Sequence, residues 1–129
     1  MKYFSKDYLD IYWEESIQCV IMQWKKFVKG EDFREGLNKG LELIKSKNSS
    51  RWLADMRHMQ VLAVADQEWS NNDWFPRAIS GGIRKMALVQ PASALAKMGV
   101  KNVMSKVQDV QLETANFDNL EDAKKWLKT

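Results

Sequence analysis

The chain has 129 residues, of which 45% are hydrophobic and 29% charged, the size of one domain and a globular balance that excludes disordered, collagenous and coiled-coil readings. No apolar run reaches the ~18 residues of a membrane helix, the start shows no secretory stretch, and one cysteine (Cys19) with one histidine (His58) argues against a disulfide, a thiolate cluster or a zinc site. The expectation is a single cytoplasmic domain over residues 1–129, with no cofactor and a formal charge of +3.

Tyr8 to Trp13 alternates apolar Leu9, Ile11 and Trp13 with Tyr8, Asp10 and Tyr12, the period of a half-buried strand. Glu14-Glu15-Ser16 turns the chain, and Ile17 to Trp24, apolar on both faces, predicts a strand deeper in the sheet. After Gly30, the acids Glu31 and Asp32 suit a helix N-terminus, and Phe33, Leu37, Leu41 and Ile44 recur at helical spacing. Gly36 and Gly40, one turn apart, would let that helix approach a sheet closely. Trp52-Leu53-Ala54-Asp55-Met56 predicts the third strand.

The next helical segment carries Trp69, Trp74, Phe75, Ile79 and Ile83, with Asp66 or a neighbour as its cap and Pro76 inside it. A break is expected near Asn71-Asn72-Asp73, with Asp73 capping a second piece that ends at Gly81-Gly82. Lys85 to Val89 predicts a strand, Ser93 caps a helix from Ala94 that Gly99 divides, and Val110, Leu112 and Thr114 alternate as a last strand. Asp118 to Glu121 resembles a capping box ahead of an amphipathic helix through Ala123, Trp126 and Leu127. The order β-β-α-β-α-β-α-β-α predicts an α/β fold, with a mixed, mostly parallel sheet of about five strands flanked by helices.

No catalytic set stands out. Gly81-Gly82 lacks the spacing and lysine of a phosphate loop, there is no G-x-S-x-G elbow, and an enzyme is not expected. Ligands of open α/β sheets bind beyond the carboxyl ends of strands, which singles out Asp55, Arg57 and His58, with Gln90 and Ser93. The plainer reading has Asp55 bracing its loop and Arg57 and His58 solvated. Cys19, among Val20 and Ile21, reads as a small buried hydrophobe rather than a redox thiol, and Glu14 and Glu15 as solvated turn residues. Six Trp and seven Met exceed what a small core needs. Trp69, Trp74 and Phe75 either pack on the sheet or line an apolar groove or contact surface. Trp74 and Phe75, being adjacent, are not expected both to point inward from one helix.

Residues 74–108 contain no acid, while Arg77, Arg84, Lys85, Lys97, Lys101 and Lys106 carry +6, which leaves −3 on the rest of the chain. Such asymmetry suits an anionic partner, but the charges are scattered and no nucleic-acid motif accompanies them. A solvated basic face, or one that docks an acidic protein, reads better than nucleic-acid binding.

The strings Trp52-Leu53-Ala54-Asp55-Met56-Arg57, Asp66-Gln67-Glu68-Trp69, Asp73 to Ile79, Lys85 to Val89 and Glu121 to Leu127 resemble bacterial SpoIIAA-like proteins, of the wider STAS/SEC14-type group that includes the anti-sigma-factor antagonists. The resemblance implies a four- or five-stranded mixed sheet flanked by helices and a role in partner binding. The antagonists are switched by phosphorylation of a Ser or Thr at the start of the helix after the third strand. Here the corresponding stretch, Asp55 to Gln60, has no hydroxyl, so that switch is not expected. SEC14-type relatives bind lipids, but this chain is long enough only for a smaller cleft.

Two functions follow. The first is a non-enzymatic regulatory or protein-interaction module, expected to be a homodimer. The second is a binder of a small apolar or lipid-like ligand, in a cleft near the end of the third strand and the Trp-rich helix. Its apolar body would lie by Trp69, Trp74 and Phe75, and its anionic end near Arg57 or Arg77.

Overall fold

Lys2-Tyr3-Phe4-Ser5-Lys6 has no apolar alternation, yet it forms strand β1 (Lys2–Lys6), because the next strand, β2 (Leu9–Glu14), offers it an antiparallel ladder. The computed structural model describes residues 1–129. A bulge between Lys2 and Phe4 and the two lysines blunt this edge against further pairing. A 3₁₀ turn over Glu15–Ile17, closed by Gln18 at φ 53°, leads into β3 (Cys19–Trp24), antiparallel to β2.

From there the chain alternates. Helix α1 (Glu31–Ser46) precedes β4 (Arg51–Asp55); α2 (Val64–Trp69) and α3 (Phe75–Ser80) precede β5 (Lys85–Val89); α4 (Ala94–Met104) precedes β6 (Glu113–Phe117). Strands β3 to β6 are parallel, and the sheet order is β1-β2-β3-β4-β5-β6. Because each crossover steps in the same direction, right-handed connections place α1 to α4 on one face. The last helix, α5 (Leu120–Leu127), lies on the other, against β4, β5 and β6.

The sheet therefore has six strands rather than about five, and its last strand begins three residues later than the Val110-Leu112 alternation suggests. The Asp109 carboxylate accepts the Gln111 N–H at 2.8 Å and turns the chain there. Helix α4 runs unbroken through Gly99, which sits where a Cβ would meet Leu62 at 3.0 Å. Ser93 is its N-cap, accepting from the Ala96 N–H. In α5 the cap is Asn119, one residue after Asp118, and it accepts from the Asp122 N–H at 2.9 Å.

No break occurs at Asn71-Asn72-Asp73. A π turn over Ser70–Trp74 joins α2 to α3, with the Phe75 N–H bonded to the Ser70 carbonyl. Pro76 has no N–H to give, and the extra residue of the π turn carries the helix across that gap. Asp73 caps nothing and pairs with Arg77 at 2.9 Å. Asp66 lies inside α2, buried, where it accepts the Gly30 N–H at the start of α1.

Glycine fixes the spacing of α1 from the sheet. A Cβ on Gly40 would fall inside the Trp52 ring and the Met22 sulfur, so only hydrogen fits there. The helix-side core holds the large side chains, Trp24, Trp52 and Trp74 among them. A second, smaller core under α5 consists of Ile17, Cys19, Leu53, Ala87, Val89, Ala123 and Leu127.

Candidate functional site

The helix-side core is not filled. Trp24, Trp52 and Met86 from the sheet, Leu37 from α1, Trp74 from the π turn and Val103 from α4 are among sixteen residues that line a cavity of about 70 Å³. Fifteen of the sixteen are apolar, and the exception is Ser70. The cavity lies beside the end of β4, where Met56 and Met59 contribute to its wall, so an apolar chamber stands at the carboxyl end of a parallel strand. Methionine walls reshape readily around an occupant.

The π turn brings Ser70 and Trp74 into the same wall. Ser70 is 3% exposed and Trp74 1%. The Ser70 hydroxyl donates to the Asp66 carbonyl at 2.8 Å, and the Trp74 indole N–H donates to the Leu37 carbonyl at 3.1 Å. Trp74 and Phe75 are both buried and meet edge to face at 5.0 Å, contrary to the expectation that neighbours on one helix cannot both turn inward. Both lie on one covered stripe with Asp66, Ser70, Ala78 and Ile79, while Asn72, Asp73, Pro76 and Arg77 stay exposed; an apolar stripe of about 100° is wide enough to take two neighbours.

The residues singled out in the sequence are not brought together at one site. Trp74 and Phe75 line the cavity. Trp69 lies in the outer part of the helix layer, half-buried, edge-on to Phe33 and flanked by the Arg34 and Arg77 guanidinium groups at 5.3 and 5.9 Å. Arg77 also bonds Asn38 and Asp73, so it offers no charge to the cavity. Asp55 and Arg57 belong to the opposite face of the sheet. Gln23, which bonds Asp55 at 3.5 Å, and Tyr12, Ile21 and Leu120 share a shallow groove there with it. His58 is exposed, Ser93 is spent as a cap, and Gln90 bonds Asn116 at 3.1 Å.

Asp55 is 1% exposed and held by both arms of Arg57, at 2.9 Å each. Burial works against its charged form, but the Arg57 bonds outweigh it and hold the carboxyl below the usual range. Such a closed pair braces the loop after β4. Burial pushes the Cys19 thiol up to about 12, which suits a packing residue rather than a nucleophile. No three His, Cys, Asp or Glu side chains converge as metal ligands, and no helix is long and apolar enough to cross a membrane.

The six cations of residues 74–108 do not form one patch. Arg84 bonds the Ile79 and Ile83 carbonyls, Lys85 bonds the Trp126 carbonyl, and Arg77 is held as above. Lys97, Lys101 and Lys106 remain, exposed on and just after α4. Of the cavity's five aromatic residues, sequence reasoning singled out Trp74 and Phe75 and missed Trp24, Phe33 and Trp52, as it missed Ser70 and the methionines after β4. The run Met56-Arg57-His58-Met59 held that signal, two apolar residues bracketing two polar ones.

Residues 19–128 match the family described as SpoIIAA-like, and the chain belongs to that family. No curated protein and no solved structure matches it.

Proposed function

From membership of the SpoIIAA-like family and the geometry above, we propose that this chain is a non-enzymatic regulatory module of the bacterial cytosol that holds a small apolar ligand in its helix-side cavity. One observation carries the reading: a chamber at the end of a parallel strand is lined by fifteen apolar residues, three of them tryptophans, and is left unfilled by the chain's own side chains. An apolar cavity of about 150 Å³ takes up benzene; this one is about 70 Å³, and its methionine-rich wall would have to adapt around a guest. The groups with chemical potential elsewhere are already committed, Asp55 to Arg57 and the Cys19 thiol to the interior.

Cyclohexane titrated into the protein, read by tryptophan fluorescence, is expected to give a saturable change because Trp24, Trp52 and Trp74 line the site. Ala54→Leu, which fills the cavity from the sheet side, should abolish that change while leaving the circular dichroism spectrum intact. A response that never saturates, or that survives Ala54→Leu, overturns the reading.

A second reading is a protein-interaction module, with a second copy of the chain as the first candidate partner. It is supported by the family and by the outer face of β1, β2 and the far end of β3, beyond the part of β3 that α5 covers at Cys19, where Lys2, Tyr12 and Gln23 face outward. Light scattering at micromolar concentration should then show a dimer that Tyr12→Glu weakens. A strict monomer removes the homodimer.

A further inference from the structure

We infer that the ligand of the cavity is neutral and carries a hydroxyl, an alcohol rather than a carboxylate or phosphate ester. The inference rests on the ligand-holding reading above and adds the chemistry of the ligand's polar end.

None of the sixteen lining residues is charged. The cations that would welcome an anionic end are elsewhere. Arg57 is closed on Asp55 across the sheet, and Arg77 lies in the outer part of the helix layer, bonded to Asn38 and Asp73. An anion entering this chamber would lose its hydration without gaining a counter-charge, a cost that burial of an unpaired ion always carries.

Ser70 supplies the complementary half of the argument. It is the one polar residue of the wall, 97% removed from solvent by its 3% exposure. Its hydrogen is committed to the Asp66 carbonyl at 2.8 Å, so its oxygen is left with lone pairs and no proton to offer. A serine hydroxyl in that state accepts, and a neutral ligand O–H can donate to it. The bond back to the carbonyl four residues earlier is the usual way a helical serine satisfies its proton. Here it stands at the first residue of the π turn, which puts Ser70 in the cavity wall with Trp74. The ligand body meets tryptophan and methionine, and its hydroxyl meets Ser70.

The test is a comparison of three probes of similar size on the full chain at neutral pH: 1-hexanol, methyl pentyl ether and hexanoate, measured by tryptophan fluorescence and calorimetry. The alcohol is expected to bind about five-fold more tightly than the ether, the worth of one buried hydrogen bond. Hexanoate should bind about a hundred-fold more weakly than the alcohol or worse. Ser70→Ala, with the fold checked by thermal melt, should bring the alcohol to the level of the ether and leave the ether's affinity unchanged. Hexanoate binding as tightly as the alcohol overturns the inference, as does an alcohol preference that survives in Ser70→Ala; in either case ether binding leaves the cavity as a ligand site. If alcohol and ether both fail to bind, the ligand-holding reading itself falls, and this inference falls with it.

Discussion

The two faces of one sheet solve the packing problem in opposite ways. Toward α1 to α4 the strands present Trp24, Trp52, Met22 and Met86, large and irregular, and four helical segments close over them yet leave a chamber of about 70 Å³. Toward α5 the strands present Cys19, Leu53, Ala87 and Val89, and Ala123 and Leu127 lie on them fully buried. Small residues against a short helix pack tightly because few shapes must be reconciled. Bulky aromatics fixed by α1's glycines cannot all interlock, and the space they leave is the candidate site.

That contrast can be broken or sharpened by substitution. The largest effect is expected at Trp52, 2% exposed and in contact with Trp74 at 5.1 Å; Trp52→Ala should cost about 4 kcal/mol of unfolding free energy in a denaturant titration. Added volume tells the faces apart. Ala87→Leu, at 0% exposure under α5, should cost about 2 kcal/mol through overpacking. Ala54→Leu grows into the cavity and should cost less than about 1 kcal/mol. Equal penalties at the two alanines would mean that the chamber has no room to give.

An effect smaller than those at Trp52 and Ala87 is expected at Asp55. Asp55 has a depressed folded-state pKa, so its contribution to stability is fully present above its unfolded value, about 3.9, and is lost as pH falls through the lower folded value. Asp55→Asn should cost about 1 kcal/mol at neutral pH, since Arg57 is partly solvated and the pair screened. It should also flatten the acid limb of stability against pH. An unchanged acid limb would assign that limb to other carboxylates, Asp10 first, whose pKa is also depressed. Least energetic is the Cys19 thiol, with its pKa at about 12. It should resist iodoacetamide at pH 8 in the folded protein and react on unfolding.

Elements with a strong period were legible in the sequence. Phe33, Leu37, Leu41 and Ile44 announce α1, and Gly36 and Gly40 announce its close approach to the sheet, because both signals are local and depend only on helix geometry. Strand β1 was not legible, since its four exposed residues of five are held by a ladder that no local pattern encodes. The π turn was not either. Asn71-Asn72-Asp73 ahead of Pro76 reads as a break, and what keeps the helix continuous there is packing against α1 and α4, with Asn71 bonded to the Val103 carbonyl at 2.9 Å. The site was half legible for the same reason. Trp74 and Phe75 declare themselves by type, whereas Ser70 becomes a wall residue only through the π turn. Arg57 and Arg77 were drawn away by nearby acids that any solvated cation would find first, Asp55 two residues before one and Asp73 four before the other.

The strand order β1-β2-β3-β4-β5-β6 bears on how the molecule is made. Every strand pairs with the one synthesised just before it, so a chain emerging from the ribosome can extend the sheet one strand at a time without threading a late segment between earlier ones. Each crossover helix is delivered together with the strand it must cover, and α5 comes last to close the opposite face. The tryptophans of β3, β4 and the π turn are thus brought under cover in sequence, which limits how long their apolar surface stands open to other nascent chains.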